Sequence, residues 1–162
     1  MKALLVTAAL VTSGGLVPQA HASTWLKTGG TASTPVGHYE YCKSHRSDCR
    51  AHGGSKSIPS GRMNVLRSVN LKVNRSITEV SDRDQFGKRE VWKIPAKSGD
   101  CEDYVLLKRQ LLINEGFSAS DLLITVVRKP DGEGHAVLTV RTTRGDFVLD
   151  NLTTKVMLWK DT

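Results

Sequence analysis

Residues 99–116 read GDCEDYVLLKRQLLINEG. Tyr104, Leu107, Leu111 and Leu112 recur at helical spacing, Asp100 stands at the N-cap position, and Glu102 and Asp103 fill the first turn. Gly116 stops the run. The pattern predicts a helix with Cys101 at its N-terminus, where backbone N–H groups and the helix dipole favour a thiolate.

Three stretches rich in Val, Leu and Thr follow: Leu122 to Arg128, His135 to Arg141 and Asp146 to Leu152. The spacers between them, 129–134 and 142–145, are turn chemistry, so an antiparallel meander is the simplest topology. Upstream, Met63, Leu66, Val69, Val73 and Ile77 mark an amphipathic helix from Ser60 to about Ser76, behind a Pro59-Ser60 start signal. Asn70 and Asn74 sit beside its apolar stripe. Residues 81–99 read as loops with a short extended piece, Val91 to Ile94. Helices first and strands second indicate an α+β class, with the Cys101 helix packed across one face of the sheet.

The first 22 residues read as a secretory signal peptide: Lys2, the apolar run Ala3 to Val11, and the small-residue site Ala20-His21-Ala22. The expected division is a leader at 1–22, an N-terminal arm or loops at 23–59, and one domain at 60–162. The mature chain is expected in the periplasm or outside the cell, without membrane insertion. In an oxidising compartment three cysteines suggest one pair and one left over. Cys42 and Cys49, seven positions apart, form the expected disulfide, and Cys101 remains a free thiol. The net charge of +7 comes from 23 basic residues dispersed among 16 acidic ones. An exported chain seldom meets nucleic acid, so the charge reads as a solvated basic surface.

A nucleophilic thiol needs a base, and the base needs an orienting partner. His135 opens the middle strand and Asp150 lies near the far end of the next, so a hairpin puts both at one end of the sheet. With a Thr142 to Gly145 loop, or a two-residue Thr143-Arg144 loop, Arg141 pairs with Asp146 and Asp150 falls opposite Val137. Val137 and His135 point the same way, which places Asp150 diagonally across from the imidazole. Cys101, His135 and Asp150 are therefore the candidate nucleophile, base and orienter. Trp92 is either a wall of the cleft or a core tryptophan.

Gly99-Asp100-Cys101-Glu102-Asp103-Tyr104, Gly134-His135-Ala136-Val137-Leu138 and Val148-Leu149-Asp150-Asn151-Leu152 occur in that order and closely resemble the motifs of the bacterial transglutaminase-like cysteine proteinases. These are periplasmic members of the papain and transglutaminase fold group. The resemblance runs from about Gly37 to Trp159, and relatives commonly continue for some tens of residues past the segment resembling Leu158 to Thr162. It implies a papain/transglutaminase-like core and the triad Cys101, His135 and Asp150. It also implies calcium-dependent endopeptidase action on a cell-envelope protein such as a surface adhesin, under an inner-membrane receptor for a cyclic dinucleotide.

Asp100, Glu102 and Asp103 surround a thiolate that they should destabilise, which motivates a divalent cation. The resemblance assigns its binding to Asp100 and Glu102, with calcium as the expected ion. Two other readings use the same residues: acyl transfer from a glutamine side chain to an amine, and a binding module with a vestigial triad.

Overall fold

Helix α1 spans Val36–Ser44 and is followed, after a break, by α2 at Met63–Ser76. The computed structural model describes residues 23–50 and 62–162. The leader reading of residues 1–22 and the Pro59-Ser60 start signal lie outside the described residues. Next come β1 (Thr78–Glu79), the short α3 (Asp82–Phe86), β2 (Ser98–Gly99) and α4 (Cys101–Asn114). The chain ends in β3 (Leu122–Arg128), β4 (Gly134–Thr142), β5 (Gly145–Leu149) and β6 (Met157–Leu158).

The last four strands form one antiparallel sheet in the order β3-β4-β5-β6. Strand side chains alternate, so Ala136, Leu138 and Val140 of β4 and Leu149 of β5 turn to one face. There they pack with Val105 and Leu112 of α4 and with Leu66, Val69 and Val73 of α2 in a single core. Leu66, Leu112, Leu138, Val140 and Leu149 are each 0% exposed, and this apolar burial is what docks α4 on the sheet. The architecture is the expected α+β one, with the Cys101 helix on one sheet face.

Three details differ from the sequence reading. The arm contains a helix, α1, although Val36–Ser44 has no apolar stripe. Its support is tertiary: Tyr41 packs with Trp92 and Leu106, and a disulfide joins Cys42 to Cys49. Gly37 lies against the Trp92 indole, where a Cβ would come within 2.2 Å of Cδ1. Second, the segment 81–99, read as loops, holds the helix α3, while its extended piece Val91 to Ile94 pairs with no strand among the described residues. Its amides go to carboxylates instead, Val91 N to Asp82 Oδ2 and Lys93 N to Asp103 Oδ1 at 2.9 Å. Third, β5 stops at Leu149, so Asp150 stands just beyond the strand rather than within it.

Candidate active site

The β4–β5 register pairs Arg141 with Asp146 and Leu138 with Leu149. One further step sets Asp150 opposite Val137, so the carboxylate shares a face with His135 as the parity argument requires. The result is a bond of 2.9 Å between His135 Nε2 and Asp150 Oδ1. Leu152 N also donates to Asp150 Oδ1, at 3.0 Å. Asn74 of α2 fixes the backbone, its Nδ2 donating to Asp150 O at 2.8 Å and to Thr153 O at 2.9 Å. Of the two asparagines beside the α2 stripe, Asn74 therefore reaches the site.

Burial alone would raise Asp150, but the His135 and Leu152 bonds outweigh it and hold the carboxyl below its usual range. An ionised carboxylate only accepts, so Nε2 carries the proton and Nδ1 is left as the basic nitrogen of the ring.

Cys101 is half-buried at the start of α4 and is a free thiol. It lines a cleft of about 320 Å³ together with His135, Asp100, Glu102 and Lys129. A second part of this cleft, walled by Pro35 and Val36 before and within α1, also meets Cys101, His135 and Trp92. Trp92, 7% exposed, is thus both a core residue and a wall of the cleft. The thiol Sγ donates to Glu102 Oε2 at 3.0 Å. Burial first, and then the Glu102 carboxyl, push the Cys101 thiol well above its ordinary range, against the helix start and the Ala136 amide, which favour thiolate.

The carboxylates that converge are Asp82, Asp100 and Asp103, with one ligand atom of each inside a 4.8 Å cluster. Each uses one oxygen on a backbone amide: Asp82 on Val91, Asp100 on Asp82 at 3.1 Å, Asp103 on Lys93. The other oxygen of each, Asp82 Oδ1, Asp100 Oδ1 and Asp103 Oδ2, is buried without a hydrogen-bond partner among the described residues. Three spare anionic oxygens at this spacing fit a hard divalent cation. Of the two residues expected to bind it, Asp100 is in the cluster. Glu102 is not: its carboxylate turns to the Cys101 thiol. Asp100 occupies the N-cap position but makes no side-chain cap, because its Oδ2 accepts from Asp82 N.

Burial raises the Asp82 carboxyl, raises Asp103 to about 7 and raises Glu102 to about 8, with Asp100 adding to all three. Gly99 permits the crowding, since a Cβ there would fall 2.3 Å from Asp103 Oδ2. Asp82 is the member of this carboxylate cluster that sequence reading missed. It lies 18 positions before Asp100, and the short parallel pairing of Thr78 with Ser98 and Glu79 with Gly99 draws the two segments together.

Residues 28–162 match the model of the family described as bacterial transglutaminase-like cysteine proteinase. No curated protein sequence matches the chain. Among solved structures, Legionella pneumophila LapG in its calcium-bound form is 26% identical with a TM-score of 0.52, over 59% of this chain and 57% of that one. The EGTA-treated form of the same protein is 26% identical with a TM-score of 0.51, over 59% and 55%. The chain therefore spans somewhat more than half the length of the solved relatives.

Proposed function

The chain belongs to the bacterial transglutaminase-like cysteine proteinase family, and on that premise we propose that it is an exported cysteine endopeptidase acting through Cys101, His135 and Asp150. The observation that carries this reading is the 2.9 Å His135–Asp150 bond at the rim of the cleft that Cys101 enters from a helix start.

In the proposed reaction His135 Nδ1 takes the Cys101 proton, and the thiolate attacks a substrate peptide carbonyl. The oxyanion meets the Cys101 backbone N–H at the head of α4. The imidazolium, steadied by Asp150, then protonates the departing amine, and water hydrolyses the thioester with His135 again as base. Asp82, Asp100 and Asp103 would hold calcium, the ion bound in one of the two Legionella structures. When bound it would offset the negative charge beside Cys101 and brace the start of α4. Glu102, bonded to the thiol, stabilises its protonated form until that charge is offset.

Residues 1–22 serve in this reading as the export leader, and the substrate is a protein of the cell envelope, with a surface adhesin as the class the family resemblance implies. Regulation by an inner-membrane receptor belongs to the same reading.

The test is to incubate wild type and Cys101→Ala with an envelope fraction in calcium and label new protein N-termini for mass spectrometry. New termini with wild type alone are the expected result. Amine incorporation into glutamine side chains without new termini would replace hydrolysis by acyl transfer, and neither activity would leave a binding module.

A further inference from the structure

Val36 of α1 and Val126 of β3 are far apart in the chain, yet both line the compartment of about 560 Å³ that opens beside Cys101. They are 65% and 55% exposed. One valine in water is ordinary, but two from distant segments at one concave wall form apolar surface that a bound group would remove from water. The β3–β4 register explains Val126. It pairs with Ala136 and stands on the sheet face where α4 is docked, while Val127, paired with His135, stands on the other.

Most polar side chains of this compartment are already bonded. Trp92 Nε1 donates to Glu90 Oε2 at 3.0 Å, Glu102 takes the Cys101 thiol, and Glu133 pairs with Lys129. Apart from Arg89 and the catalytic pair, the wall is otherwise apolar or glycine. The α1 side of it is also held in place. Gly37 lies against the Trp92 indole, His38 meets that ring edge-on at 5.4 Å between centres, and Tyr41 packs with Trp92 and Leu106. Tyr39 N donates to Pro35 O at 3.0 Å, which fixes Pro35 and Val36 at the first turn.

We infer that α1 builds the specificity compartment for the acyl half of the substrate, with Val36, Trp92 and Val126 enclosing an aliphatic side chain of Val or Leu size from one of the two residues before the cut. The inference rests on the Cys101-His135-Asp150 reading and names what that site selects. His135 gives its proton to the departing amine, so the leaving half runs past the imidazole. A compartment on the opposite sheet face meets His135 and Asp150 but not Cys101, and lies on that side. The half held on the thiol as thioester falls to the compartment that Cys101 does meet. An extended peptide alternates its side chains, so one of those two residues enters it and its neighbour points away.

For the test, envelope protein and a randomised peptide library are each incubated with the protein in calcium, and the residues before every cut are read by mass spectrometry against a Cys101→Ala blank. One of the two positions before the cut should favour Val and Leu over Gly, Asp and Lys by about tenfold or more. Val36→Trp, which fills the compartment, should turn that preference to Gly and Ala. Val126→Ala, which enlarges it, should admit Phe at the same position. Both variants replace exposed side chains, and circular dichroism checks their fold. Tyr39→Ala, on α1 but outside the compartment, should keep the wild-type profile. Cutting without preference at either position, or a wild-type preference retained in both valine variants, would overturn the proposal and leave the hydrolytic reading standing. No cut in either substrate beyond the blank would overturn both.

Discussion

Asp150 Oδ1 lies 2.9 Å from His135 Nε2, although the residues are 15 positions apart. A two-residue turn at Thr143-Arg144 and the Arg141–Asp146 pair set that meeting. In the proposed mechanism the bond selects the imidazole tautomer and stabilises the imidazolium, without touching the substrate. Asp150→Asn should therefore fold normally by circular dichroism, lower kcat by about 10²-fold or more, and leave residual turnover. Wild-type kcat in this variant would remove Asp150 from the mechanism.

The three spare oxygens on Asp82, Asp100 and Asp103 predict a calcium response that is readable without substrate. Calcium at about a hundredfold excess over Kd should stabilise the protein by about 2–3 kcal/mol in thermal denaturation. Asp82→Asn and Asp103→Asn should lose this response, and Glu102→Gln should keep it because that side chain faces the thiol. The opposite pattern would return the binding role to Glu102.

The same carboxylates fix a pH dependence in chelator. Asp103 and Glu102 bind protons more tightly when folded, with values raised to about 7 and about 8 from ordinary values of 3.8 and 4.5. Between the unfolded and folded values the native state holds more protons, so stability falls as pH rises through that window. Above about 8 both states are ionised at these groups and the loss is complete. Calcium-free protein should thus melt at a higher temperature at about pH 5 than at about pH 8, and calcium should narrow the difference. A melting temperature that rises steadily across that range in chelator would contradict these assignments.

Much of the site was legible because it depends on local periodicity. Cys101 follows an N-cap position at the head of an apolar-faced helix, and strand parity places Asp150 beside His135. What sequence did not disclose depends on contacts between distant segments. Helix α1 has no stripe of its own and exists through Trp92, Tyr41 and the disulfide. Asp82 joins Asp100 through a two-residue parallel ladder too short to leave a pattern. Glu102 faces the thiol because of side-chain orientation within one helical turn.

The close approach of Gly37 to Trp92 makes α1 testable by one methyl group. A Cβ 2.2 Å from Trp92 Cδ1 cannot be accommodated without moving the helix or the indole. Gly37→Ala should destabilise the protein by about 1–3 kcal/mol in denaturant unfolding and alter tryptophan fluorescence. An unchanged midpoint and spectrum would mean that α1 does not rest on Trp92 in solution.

Cys101 is the free cysteine among the described residues, which allows its role as nucleophile to be measured by stoichiometry. Wild-type protein in calcium is treated with limiting iodoacetamide near neutral pH, and Cys101 modification by peptide mass spectrometry is compared with cleavage of envelope protein in the same samples. If Cys101 is the nucleophile, the fraction of activity lost equals the fraction of Cys101 alkylated, with His135→Ala alkylated more slowly. Full alkylation of Cys101 with cleavage intact would contradict that role.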